Sequence, residues 1–209
     1  MPPGPPDPRD WPFAPGDSPY RIKGTAYRGH IEYVEEHIDG GLPAMIDAFE
    51  DERHRAFFGG PFLAGGLYDI FPLVVAGDVC ARLLGMTFLD FVAERSRIQA
   101  PKDLGGIYRF LLRMVPTGTV AKRIPMMLGQ VLEFGTTEVL QDEPHHMRGV
   151  FHGMPSPIAP WFSTVSEAYG TEALRVSGSD DPKLTIERST PMPAEKGVAL
   201  VSLTFDIRW

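Results

Sequence analysis

The feature that most constrains this chain is a change of hydrophobic period close to Gly135. Before it, apolar residues recur at helical intervals; after it, they alternate. The C-terminal stretch shows this best, with Val201, Leu203, Phe205, Ile207 and Trp209 alternating with Ser202, Thr204, Asp206 and Arg208. Successive side chains leave a strand on opposite sides, so this pattern marks a strand with one buried face. Leu184 and Ile186 supply its partner. Upstream, Thr137 and Val139, then His146, Arg148, Val150 and His152, read as two strands joined by a turn at Asp142 to Pro144. Between the two pairs, Trp161, Phe162, Val165, Ala168, Tyr169 and Leu174 follow Ser156 to Pro160 at helical spacing. The expected C-terminal unit is strand, strand, helix, strand, strand, a small four-stranded antiparallel sheet with one helix.

The preceding residues read as helices. Ile31, Val34 and Ile38 share a helix ended by Gly40 and Gly41, and Leu42, Met45, Ile46 and Phe49 form a second with Pro43 in its first turn. Gly59-Gly60-Pro61 and Gly65-Gly66 mark loops. From Pro72, the residues Leu73, Val74, Ala76, Val79, Cys80, Leu83 and Leu84 are apolar around most of the circumference, as in a central buried helix. Thr87 and Asp90 have capping-box spacing for the next helix, which Pro101 should break. Leu104, Ile107, Tyr108, Leu111, Leu112 and Val115 form a stripe stopped by Pro116. A last helix runs from about Thr119 to Phe134, with Val120, Ile124, Met127, Leu128 and Val131 inward and Pro125 kinking or starting it. The fold class is therefore α+β, with a helical half over about 20–134 packed on a sheet over about 135–209. Residues 1–19 carry eight prolines and are expected to form a disordered arm outside this single domain over 20–209.

Charge and cysteine use narrow the partners. A net charge of −7 and a pI near 5.3 argue against nucleic acid or an anionic membrane, which attract Lys and Arg. The one cysteine, Cys80, lies in the apolar run and excludes an intrachain disulfide framework. No segment resembles a signal peptide or approaches the roughly 20 apolar residues of a bilayer span. A cytoplasmic location is expected, with a small apolar molecule or a partner protein as the binding partner and a homodimer left open.

Catalytic and metal signatures are weak. His146 and His152 share a strand face but lie about 20 Å apart at roughly 3.3 Å per residue, too far for one ion. His30 and His37, two helical turns apart beside Glu35, Glu36 and Asp39, read as a solvated helix face, and Glu50 to Arg55 as charged surface before a loop. No Gly-x-Ser-x-Gly elbow is present, and the glycines from 59 to 66 lack the Lys-Ser/Thr ending of a phosphate loop. No enzyme activity and no metal site are expected. Phe57, Phe58, Phe62, Tyr68, Tyr108, Met114, Met126 and Met127 either line a space between helices or fill an ordinary core. The candidate ligand contacts among them are Tyr108, Phe62, Tyr68, Met114 and Met127.

Several segments carry a family resemblance. Leu128 to Gly135 with Thr137, Glu138 and Val139, then Gly153-Met154-Pro155 and the helix with Trp161, resemble a myxobacterial family of uncharacterised proteins. Ile22-Lys23-Gly24, Tyr33-Val34 and the ending from Leu200 to Trp209 are similar to it as well. The order of elements also resembles the haem-binding nitric-oxide and oxygen sensor domains and the four-vinyl-reductase domains. That resemblance implies a noncatalytic sensing or signalling adaptor that binds a small ligand between a helical half and a sheet, the alternative being a protein-interaction module without ligand. In the sensor family the axial histidine lies on a helix shortly before a proline. The comparable segment here, Leu104 to Pro116, has Tyr108 nearest that place and no histidine, and the Tyr-x-Ser-x-Arg motif is absent. On this reading no cofactor is expected and haem is disfavoured.

Overall fold

The computed structural model describes residues 11–209, apart from the side chains of Ile107, Tyr108, Glu187, Arg188 and Ser189. The chain divides into two compact units. One holds the chain up to Val92 with Val131–Glu133, and the other holds Ala93–Gln130 with Phe134–Trp209.

The first unit is helical around a short ribbon. Strands β1 (Arg21–Lys23) and β2 (Leu67–Asp69) pair antiparallel, with Ile22 opposite Tyr68. Helix α1 (Gly24–His37) buries Tyr27, His30, Tyr33 and Val34, one face at intervals of three and four. Gly40 and Gly41 take φ of 83° and 58°, left-handed values open to glycine, and turn the chain into α2 (Gly41–Asp47). The charged run near residue 52 forms a helix, α3 (Glu52–Phe58), with Glu52, Arg53 and Arg55 exposed on its surface. Its cause is Asp51, whose carboxylate accepts the Arg53 N–H at 2.9 Å and so satisfies a first-turn donor. Helix α4 (Phe71–Leu83) buries ten of its 13 residues and is the central helix expected from its composition.

The disordered arm expected over 1–19 falls partly on residues 1–10, which lie outside the described residues. From Trp11 onward the segment is packed. The Trp11 ring lies 4.5 Å from that of Phe71, and Ser18 is fully buried. The anchor is Asp69, whose carboxylate accepts N–H groups from Gly16, Ser18 and Phe71. Its burial raises its pKa above the ordinary carboxylate value, against the pull of those same hydrogen bonds.

The second unit carries the sheet. Helix α5 (Phe88–Asp103) runs into it from the first unit, followed by α6 (Gly106–Arg113) and α7 (Thr117–Val131). Pro101 lies inside the last turn of α5 rather than ending it, so its missing donor costs the helix a bond only near its terminus. Strands β3 (Thr136–Glu143) and β4 (His146–Pro155) are followed by a 3-10 turn (Ser156–Ile158), α8 (Ala159–Val176), β5 (Lys183–Glu195) and β6 (Val198–Arg208). The four strands form an antiparallel sheet in the order β3-β4-β6-β5. The first hairpin turns at Pro144 and His145, one residue later than expected, with His145 at a φ of 62°.

Alternation along β6 and β4 puts Phe205, Ile207 and Met147 into a core with Leu184, Val120, Ala121, Ala173 and Leu174. Among the described residues no single helix is long and apolar enough to cross a membrane. Phe71–Leu83 and Phe88–Asp103 reach that length and composition only together, across a bend of 101°.

Candidate functional site

The five residues expected to contact a ligand do not gather in either unit. Phe62 and Tyr68 belong to an aromatic cluster of the first unit, centred on Tyr27. The Tyr27 ring stacks on Phe62 at 4.4 Å and lies 5.7 to 5.8 Å from Phe57, Phe58 and Tyr68. Its hydroxyl donates to the Asp69 carbonyl, and burial, then the Asp69 charge, push its pKa well above the usual phenol range. Tyr68 accepts the Leu63 N–H at 2.8 Å. A Cβ on Gly24 would meet the Leu63 carbonyl, and one on Gly66 the Tyr68 ring. Tyr27 and Phe58 are buried core, and Phe57, Phe62 and Tyr68 pack half-buried against them. Met114 and Met127, in the second unit, are 67% and 40% exposed. The Tyr108 side chain lies outside the described residues.

Two histidines expected on a solvated face are instead interior. His30 is 3% exposed, with Nε2 3.6 Å from the Cys80 Sγ and its ring edge-on to Phe91. It stands three residues after Tyr27 and three before Tyr33, and that spacing was the available signal. His54 stacks on Phe49 at 5.5 Å, and burial lowers its pKa although Asp51 lies 3.8 Å away. His54, Asp51, Asp69, Trp11 and Phe13 border a pocket of about 260 Å3 beneath the packed part of the arm, where the buried Trp11 Nε1 has no hydrogen-bond partner.

On the sheet, His152 bridges strands. Its Nδ1 lies 2.9 Å from the Ser202 Oγ and its Nε2 3.4 Å from the Glu138 carboxylate. This is a serine, histidine and carboxylate row, but Ser202 is only 6% exposed, so its oxygen is closed to a substrate carbonyl. His146 Nε2 sits 2.7 Å from Asp206. Among the described residues no three His, Cys, Asp or Glu side chains gather as a metal site.

The arrangement with unmet chemistry is on α5. Its buried face begins apolar with Phe91 and Val92 and then turns polar, with Arg95 at 7% exposure and Ser96 and Gln99 at 0%. Gln99 donates to Asp103 at 2.9 Å, and Tyr169 donates to the other oxygen of Asp103 at 2.7 Å. The Arg95 Nε and the Ser96 Oγ have no hydrogen-bond partner. Each unmet buried polar atom costs roughly 1–3 kcal/mol. The unmet donors suit an acceptor such as a carboxylate. Helical spacing from Phe91 through Arg95 to Gln99 places these groups on one face, a feature that the capping box and Pro101 do not reveal.

No protein-family model and no curated protein matches the chain. Solved structures do. The Fe(II) unliganded H-NOX protein from K. algicida superposes with a TM-score of 0.58 at 12% identity, covering 90% of this chain and 96% of that one. An oxygen-binding H-NOX domain related to soluble guanylate cyclases, in its oxygen complex, gives 0.57 at 8% identity over 89% and 95%. A chain used to study haem redox potential under protein-induced porphyrin distortion gives 0.59 at 9% identity over 90% and 95%. The chain therefore has the H-NOX fold. The myxobacterial and four-vinyl-reductase likenesses draw no support from these matches. The expectation of no cofactor, with haem disfavoured, is overturned by them, since it rested on local motifs while chains with iron and porphyrin share the fold along nearly the whole length.

Proposed function

We propose that this chain is a noncatalytic sensing domain that holds a small, largely apolar ligand, and that haem is the first ligand to test. The observation that carries the reading is the H-NOX fold across 90% of the chain. Fold alone does not transmit function, so the residues have to suit the group. The unmatched Arg95 Nε and Ser96 Oγ are donors of the kind a porphyrin carboxylate takes up. The iron ligand is not a histidine of α6, which has none. Tyr108 is the one residue of that helix with an oxygen able to ligate iron, as tyrosine does in some haem proteins. Haem, when bound, supplies an iron centre that takes a diatomic gas. This chain's own contribution is to hold the group and exclude water.

The test is titration of the purified protein with hemin, followed by its absorption spectrum, for wild type and Tyr108→Phe. The expected result is a shifted Soret band at one hemin per chain in the wild type, with a changed band in Y108F. A spectrum identical to free hemin would refute haem as the ligand.

A second reading, a protein-interaction module, has its own observation. Phe110 and Leu111 on α6, Met114 just after it and Met126 on α7 are 51% to 67% exposed, and β3, an edge strand, exposes Val139 and Leu140. Where exposed apolar side chains form a contiguous patch, they mark a contact surface. Light scattering after size exclusion separates the readings, since an interaction module with this surface yields a defined oligomer.

A further inference from the structure

Arg95 and Arg97 stand two residues apart on α5, and only the second behaves as arginine ordinarily does. Arg97 is exposed, while Arg95 is 7% exposed. Arginines are almost never fully buried unless paired. Among the described residues no ion pair or hydrogen bond to Arg95 is present, and its Nε is unmatched. Ser96, beside it and 0% exposed, has an unmatched Oγ. Gln99, one turn on, already turns its amide to Asp103, so the free donor capacity of the stripe lies at Arg95 and Ser96. A buried donor such as the Arg95 Nε is best met by an acceptor, and an anion serves a guanidinium best, because an unmet polar group out of water is disfavoured.

From these observations we propose that Arg95 and Ser96 are the anchor for a carboxylate, and that the ligand of this domain is an amphipathic carboxylic acid. The inference rests on the sensing reading above and narrows it. The guanidinium offers parallel N–H donors that match a carboxylate, and the serine hydroxyl adds a third donor beside them. Two sources share this chemistry, a porphyrin propionate and a fatty acid, and the experiment distinguishes them.

Binding is measured by calorimetry on the full chain with four probes in two pairs, hemin against its dimethyl ester and dodecanoate against dodecanol. Wild type, Arg95→Met, Arg95→Lys and Ser96→Ala are compared. In at least one pair the wild type binds the acid tenfold or more tightly than its neutral counterpart, and the pair that responds identifies the source. R95M loses that preference, and R95K and S96A retain part of it. Because among the described residues nothing pairs with the Arg95 Nε, R95M without ligand melts no lower than wild type. Equal binding of acid and neutral forms by the wild type overturns the carboxylate anchor while leaving the sensing reading intact. Absence of binding by all four probes removes both. A lower melting temperature for R95M, with acid preference unchanged in R95K, gives Arg95 a purely structural role and also overturns the proposal.

Discussion

Around Tyr27, buried polar groups meet partners. Its hydroxyl donates to the Asp69 carbonyl, and the Asp69 carboxylate takes three backbone N–H groups. Along the inner face of α5 the burial is as deep, yet Arg95 Nε and Ser96 Oγ meet nothing. Aromatic rings were the obvious ligand contacts from composition, and around Tyr27 they pack on one another. The unfinished part is a polar stripe on a helix that composition makes unremarkable. Completeness of hydrogen bonding, rather than aromatic content, separates packing from a candidate site.

That contrast breaks most directly at its packed end. Tyr27→Ala should cost about 3–5 kcal/mol in chemical denaturation, because it removes a fully buried ring stacked between others. A loss under about 1 kcal/mol would mean the cluster is loose enough to admit a ligand. Gly149→Ala asks whether the second unit is tight elsewhere, since a Cβ there meets the Phe205 ring and the Glu138 carbonyl. A destabilisation of about 1–3 kcal/mol is expected from such overpacking. Little effect would place slack throughout the unit instead of at α5.

Arg95→Met, measured without ligand, should have the opposite sign and stabilise by about 1 kcal/mol, since an apolar side chain of similar length replaces one whose buried Nε has no partner among the described residues. The smallest effect is on pH. Burial lowers the His54 pKa below 6.5, so the fold holds the neutral ring, and stability falls as pH drops from 6.5 toward the folded value. His54→Gln should flatten that limb of the stability profile, measured by denaturation at several pH values.

The sheet half was legible because alternation at Val201 to Trp209 admits few structures, and the central helix because its apolar residues wrap it. The start of the packed arm was not, because proline content describes the local chain and says nothing of Asp69, about 50 residues away, which gathers its N–H groups. His30 and His54 were misplaced because acidic neighbours in sequence face solvent while the histidines face inward on the same helices. Arg95 was missed for a related reason. An arginine reads as surface unless its position on the helical face is counted from Phe91, and only tertiary structure shows that its Nε meets no partner among the described residues.

The account's central claim is that this fold carries a bound small molecule. Native mass spectrometry of the protein purified from its own host, with an absorption spectrum of the same sample, tests it most directly. The account predicts a stoichiometric mass addition from a carboxylate-bearing molecule, with a Soret band if that molecule is haem. A clean unliganded mass, accompanied by a defined dimer or a co-purified protein, would contradict it and leave the exposed α6 and α7 surface as the functional part of the chain.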